Sequence, residues 1–418
     1  MSRATDSADP ATLKARGAAL FDAGDTAGAL ACFDGAAEGD PADAETHFRR
    51  GLALAAFARL DEAVAAFRRA DTLAPERESV LTNLGTMLRR RGDLDAAVAA
   101  HERAVRAAPQ SPAAHYGLAF TLLTRGDYAR GFAEYEWRLA LPGWRRPALE
   151  LPRWHGDTMA GTLLVAGEQG HGDMIQGARY LPWAARHAGR VVVEAHAPLV
   201  RLFGLVPGVE VVPFDPDTPP AADACVPFCS LPWTAGTMHD SVPGAPYLAV
   251  PADGPALPAT SPGCWRVGLV WSGDPDQPAN RFRAVPPGAL RPLAARADVA
   301  AFSLQMGTPG AAARPGGPLA DVVADVTPRL GDFADTAAIM AQLDLVVTVD
   351  TATAHLAGAL GRPVWVLLGY WADWRWGRRG DAGTPWYPSA RLFRQPAPGD
   401  WGDVGRRLAE ALGPADQP

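Results

Sequence analysis

A period of 34 residues constrains the first third of this 418-residue chain more than any other feature does. Gly17, Gly51 and Gly85 share one register, Ala29, Ala63 and Ala97 a second, Ala36, Ala70 and Ala104 a third, and Pro41, Pro75 and Pro109 a fourth. Phe33, Phe67, His101 and Tyr135 recur at the same interval. Glycine and alanine at fixed places let two helices approach closely, a bulky ring fills the space between them, and proline stops the second helix before the next begins. The repeat therefore predicts stacked antiparallel helix pairs.

This pattern resembles the tetratricopeptide repeat, with three good copies and a degenerate fourth. In that fourth copy Ala119 stands for the glycine, Gly131 for the first alanine and Arg138 for the second. The resemblance implies an α-helical solenoid over residues 1–142, about three and a half repeats long, whose groove takes a peptide or protein. Stabilising a neighbouring domain or forming a dimer are the alternatives to that binding role.

Beyond "LPGWRRPALELPRWHGD" the period stops and strand-like and helix-like segments alternate, which predicts parallel sheets. "GTLLVAGEQ", "RVVVEAH" and "VEVVPF" read as strands, with helices expected at "GDMIQGARYLPWAARHAG" and "APLVRLFGLV". A proline-rich stretch, "VPADGPALPATSPG", separates this half from a second. There, "WRVGLVWSG", "VAAFSLQ", "DLVVTV" and "PVWVLL" read as strands, and "PPGALRPLAARA", "DFADTAAIMAQL" and "TATAHLAGALG" as helices. The expected domains are 155–258, 264–395 and a C-terminal helix and tail over 396–418.

A formal net charge of −7 argues against a general nucleic-acid binder. Cys32, Cys225, Cys229 and Cys264 form no zinc-ligand pattern and read as reduced thiols. The beginning of the sequence lacks the apolar core of a secretion signal, and no stretch reaches the roughly 18 apolar residues of a membrane span. A cytoplasmic location without an integral membrane segment is the expectation.

Ligands of parallel sheets bind outside the carboxyl ends of the strands. Three such loops carry the chemistry. "GEQGHGDM" holds Gly167, Gly170 and Gly172, which permit a sharp turn, and Asp173 at the start of a helix, where it also reads simply as an N-cap. "WSGDPDQPANRFRAVP" holds Asn280, Arg281 and Arg283, suited to phosphate or to solvent. "VDTATAH" places a helix start near Thr351, whose free amides suit a diphosphate. His355, one turn in, reads as a phosphate ligand or as a packed residue. Neither a Walker lysine motif nor a GxGxxG is present.

Together, "DLVVTVDTATAHLAGALGRPVW" and "GDMIQGARYLP" resemble the heptosyltransferase-like (family 9-type) GT-B glycosyltransferases. "GEQGHGDMIQGARYLP", "WYPSARLFRQ" and "DWRWG" resemble a bacterial subgroup in which tetratricopeptide repeats precede that module. The resemblance implies two Rossmann-like halves facing across a cleft, the acceptor side at 155–258 and the nucleotide-sugar side at 264–395. It implies inverting sugar transfer from a nucleotide-sugar donor, with no metal and no other cofactor. Asp173 takes the part of the base, and Gly170 and Gly172 belong to its glycine loop. Arg283, and after it Arg281, correspond to the phosphate-binding basic residue. Thr351, Ala352, Thr353 and His355 correspond to the diphosphate turn, and Gln305 is placed to meet nucleotide or sugar. Three residues depart from the family pattern: Ala352 where "DTG" has glycine, arginine for the phosphate-binding lysine, and His171 where an aliphatic residue is usual.

These expectations give a transferase acting on a hydroxyl acceptor, with a protein recruited by the repeats as the leading acceptor. Assembly of a polysaccharide or lipid-linked glycan, and a noncatalytic protein-binding scaffold, are the alternatives.

Overall fold

A computed structural model of the chain describes residues 9–143, 150–244 and 246–413. It divides into two compact units, one ending at Gly143 and the other beginning at Trp144.

The first unit is four antiparallel helix pairs: α1 (Pro10–Asp22) with α2 (Thr26–Gly39), α3 (Ala44–Ala56) with α4 (Leu60–Leu73), α5 (Glu78–Arg91) with α6 (Leu94–Ala107), and α7 (Pro112–Arg125) with α8 (Tyr128–Tyr135). The repeat register has a direct steric cause. A Cβ on Gly17 would lie 2.7 Å from the Phe33 ring, one on Gly51 2.6 Å from Phe67, and one on Gly85 2.6 Å from His101. Each glycine thus seats the bulky residue of its own repeat. Pro41, Pro75 and Pro109 fall in the turns that separate pairs. In the shortened fourth pair the buried Arg138 has its guanidinium 4.9 Å from the Tyr135 ring, where earlier repeats carry alanine.

The second unit contains two parallel sheets. In its first half come β1 (Met159–Ala166), α9 (His171–Gly177), α10 (Leu181–His187), β2 (Ala188–Ala195), α11 (Val200–Phe203), β3 (Glu210–Pro213), β4 (Ala224–Pro227) and α12 (Leu231–Thr234). The strands lie in the order β3-β2-β1-β4. In the second half come β5 (Trp265–Val270), α13 (Asn280–Arg283), α14 (Arg291–Ala294), β6 (Val299–Ser303), β7 (Val323–Asp325), α15 (Phe333–Ala341), β8 (Leu345–Val349), α16 (Ala352–Ala359), β9 (Val364–Leu368), β10 (Ala390–Arg394) and α17 (Trp401–Ala411). Their order, β10-β9-β8-β5-β6-β7, is that of a doubly wound nucleotide-binding sheet. Strands β8 and β9 are apolar runs because a parallel sheet is covered on both faces. Helix α17 is not an appendage: Trp401, Val404 and Leu408 complete the second half's core.

Three expected helices are shorter than their apolar patterns. The stretch 172–189 breaks at a 3-10 turn, Ala178–Tyr180, and α10 restarts with Pro182 in its first turn. Pro198 and Pro292 similarly reduce 197–206 and 286–297 to α11 and α14, each preceded by a 3-10 turn. Proline lacks the donor that would continue a helix, and it disfavours helical geometry in the residue before it.

Candidate functional site

In the second sheet the chain runs outward from β5 through β6 to β7, then crosses to the other side for β8 to β10. The switch point lies between β5 and β8, and open α/β sheets bind ligands at its carboxyl end. Thr351 caps α16 there with extended backbone, φ −146° and ψ 175°, and donates no side-chain cap to the helix. Its hydroxyl instead lies 3.3 Å from the Val349 carbonyl oxygen. The first-turn amides of Ala352 and Thr353 therefore face outward with the positive end of the helix.

The loop after β5 is folded back on itself by Asn280, whose Oδ1 accepts from the Gly273 amide at 2.8 Å while its Nδ2 donates to Ser272 Oγ at 3.0 Å. This pinning delivers Arg283 to the Asp350 carbonyl, to which Nη1 donates at 3.0 Å; its Nε has no partner among the described residues. Arg281 is exposed instead, its guanidinium over the neighbouring Phe282 ring at 4.5 Å. Of the two arginines, only Arg283 joins the cluster. Gln305 follows β6 and is buried. Its Oε1 accepts from the amides of Trp271 and Ser272 at 2.9 and 2.8 Å, and its Nε2 donates to the Met306 carbonyl at 3.1 Å. Both ends of the side chain take part in shaping the β5 exit.

Opposite stands the loop after β1, at the switch between β1 and β4 in the first sheet. Its sharp turn is made by Gln169, at φ 62°, and not by the glycines. The glycines serve close approach: a Cβ on Gly167 would lie 2.7 Å from Phe214, and one on Gly172 would lie 2.8 Å from His355 and 3.4 Å from Ala352 Cα. The residue capping α9 is Gly170, not Asp173. Asp173 sits at the third helical position and its Oδ2 accepts from the Gly170 amide at 3.1 Å. The residue before Asp173, Gly172, is thus packed against the start of α16 at Ala352 and His355.

His355 is buried, and its Nδ1 shares a hydrogen bond of 2.9 Å with the Tyr387 hydroxyl. Burial first, then Arg375 and Arg179, hold its pKa well below the ordinary value, so the ring is neutral. Burial, with Tyr247 beside it, pushes Tyr387 well above a normal phenol. Asp350 closes the cluster: burial and then Asp373 push its pKa up to about 6, against the pull of Arg283 and Arg375. His171 fills its unusual place as an aromatic contact, its ring 5.2 Å from His196 and 5.2 Å from Phe333.

A set of residues to which the sequence reading assigned no role ties the halves together. Arg179 donates to the carbonyls of Pro243 and Trp386, at 2.7 and 3.0 Å, and lies within about 5 Å of the Tyr247, Trp386 and Tyr387 rings. Arg375 bonds Asp173 at 2.7 Å. Their signal was present in "DWRWG" and "GARYLP", but only the fold shows that these segments meet. Among the described residues no cluster of three His, Cys, Asp or Glu side chains could hold a metal ion, and no helix is long and apolar enough to cross a membrane.

Comparison with known proteins matches residues 317–398 to glycosyltransferase family 9 (heptosyltransferase), and residues 14–78 and 82–137 to the tetratricopeptide repeat. The family 9 match includes the α16 turn and Arg375 and excludes Asp173. Protein FlbA of Caulobacter vibrioides is 42% identical over 81 residues, which is 19% of this chain and 13% of that relative. Among solved structures, the crystal structure of MamA is similar at 21% identity over 32% of this chain and 79% of that one, with a TM-score of 0.31. The first TPR of Spaghetti (RPAP3) bound to the HSP90 peptide SRMEEVD is similar at 20% identity over 29% and 95%, with a TM-score of 0.27. The chain joins tetratricopeptide repeats to an α/β module with a glycosyltransferase family 9 segment.

Proposed function

We propose that this protein is an inverting, metal-independent glycosyltransferase that moves a sugar from a nucleotide-sugar donor to a hydroxyl acceptor. The single observation that carries this reading is the meeting of α9 and α16: Gly172, the neighbour of Asp173, packs against Ala352 and His355, and Arg283 bonds the Asp350 carbonyl just before α16. In this reading the amides of Ala352 and Thr353, the Thr351 hydroxyl and Arg283 hold the diphosphate and stabilise the charge that grows on it as the sugar leaves. His355, neutral and fixed by Tyr387, offers Nε2 to the same region. Asp173 takes the proton of the acceptor hydroxyl as it attacks. Asp350 shapes the turn, and Gln305 and Asn280 shape the β5 exit. The tetratricopeptide unit supports a peptide or protein as the acceptor, recruited through its groove in the cytoplasm.

Donor binding is tested by thermal melting of the full chain with UDP, GDP and ADP and their hexose conjugates. A ligand that binds only the folded state raises the melting temperature by mass action. At least one nucleotide should do so, and Arg283→Ala should weaken its apparent affinity about tenfold, as expected for loss of a charge-assisted bond. No shift with any nucleotide would contradict the donor site.

A further inference from the structure

Arg375 lies on the connection between β9 and β10, yet its bonds cross to the first half of the module. Its Nη2 donates to Asp173 Oδ1 at 2.7 Å and its Nε to Gln176 Oε1. Asp173 and Gln176 are three residues apart on α9 and so share one helix face. On its own segment, Nη1 donates to Asp373 Oδ1 at 2.9 Å, and the same oxygen accepts from the Arg375 backbone amide at 3.0 Å. The guanidinium carbon also lies 4.3 Å from the Trp374 ring centre. With 7% of its side chain exposed, this cation is locked by three polar partners and one aromatic face.

We propose that Arg375 is the positioning residue for Asp173, orienting its carboxylate for proton removal. The inference rests on Asp173 being the base. An ionised carboxylate offers about four lone-pair sites. Arg375 occupies one on Oδ1 and the Gly170 amide one on Oδ2, which sets the carboxylate plane and leaves the remaining sites for an acceptor hydroxyl. Gln176 supports the assignment independently. An arginine can only donate, so the Gln176 oxygen must face it, and the Gln176 Nε2 is left buried with no partner among the described residues. An orphaned buried donor is costly; the oxygen held against Arg375 is what that cost secures. Because Arg375 and Asp173 belong to different halves, the base is oriented only while the halves touch. Lysine cannot reproduce the arrangement, since a point charge does not span two acceptors as a planar fork does.

The test uses the full chain with UDP-glucose, GDP-mannose and ADP-glucose, following nucleoside diphosphate release with the donor that supports most turnover. Arg375→Gln should lower kcat about 100-fold, as a misaligned general base does, and leave the KM for the donor unchanged. Arg375→Lys should recover part of that loss and remain about tenfold below the wild type in kcat, because one donor is kept and the planar fork is not. The nucleotide-induced melting shift should persist in both variants. Arg375→Lys also carries the test where Arg375→Gln melts below the assay temperature. Wild-type kcat in either folded variant overturns the assignment of Arg375 alone. Absence of turnover in the wild type with all three donors overturns the enzymatic reading, and this assignment with it.

Discussion

Gly172 and His355 touch across the two halves of the α/β unit so closely that a Cβ on Gly172 would lie 2.8 Å from the His355 ring. His355 cannot retreat, because Tyr387 bonds it from behind and Trp376 packs 5.2 Å away. Gly172→Ala should therefore push α9 off α16. Overpacking of this kind costs about 1–3 kcal/mol, measured as a lower urea midpoint for the α/β unit. An unchanged midpoint would show that the contact is loose.

His101 predicts a gain in stability. It is fully buried and neither ring nitrogen has a partner, while Phe33 and Phe67 hold the equivalent places. Burial first, then Arg89, lowers its pKa to about 3. A folded pKa below the unfolded value means that the unfolded chain binds the extra proton. Stability is thus fully present above about pH 6.5 and drains away as pH falls toward 3, by up to about 1.4 kcal/mol per pH unit. His101→Phe should stabilise the repeat unit by about 1 kcal/mol at pH 7 and flatten this slope in acid. Parallel pH profiles for the two proteins would contradict the burial of an uncharged histidine.

Asp350 has the opposite sign. Its folded pKa, pushed up to about 6 by burial and Asp373, exceeds that of an unfolded aspartate. Its favourable contribution is therefore complete below about pH 4 and lost as pH rises through about 6. Asp350→Asn should stabilise the α/β unit more at pH 8 than at pH 4. Melting curves at the two pH values check this, and equal effects at both would refute it.

Gln305 separates a structural role at the β5 exit from a nucleotide contact. Gln305→Leu would orphan the buried amides of Trp271 and Ser272, costing about 1–3 kcal/mol, whereas Gln305→Glu keeps the acceptor and should lose less. A nucleotide contact would reverse the emphasis, sparing stability and abolishing the melting shift.

The 34-residue helix pairs and the strands at β1, β2, β5, β6, β8 and β9 were legible because each is a long, regular apolar pattern. Strands β4, β7 and β10 were not: the first two are "ACVP" and "VAD", and the last is an edge strand flanked by arginines. The turn at Thr351 and the loop at Gly170 to Asp173 could be placed because a strand end and a helix start are local signals. Local signals also misled. Arg281 and Arg283 look alike two residues apart, and only the Asn280-pinned turn separates them. The part Gln305 plays at the β5 exit was not legible because the amides that donate to it lie 33 and 34 residues away, at the end of another strand. Arg375 and Asp173 are 202 residues apart, a pairing that no local pattern encodes.

The most direct measurement is nucleoside diphosphate release from a nucleotide sugar by the full chain carrying Asp173→Asn, which keeps the shape of the side chain and removes its basicity. The account predicts that turnover falls about 1000-fold, within the range for loss of a general base, while the nucleotide-induced melting shift is unchanged. Turnover at the wild-type rate would contradict it.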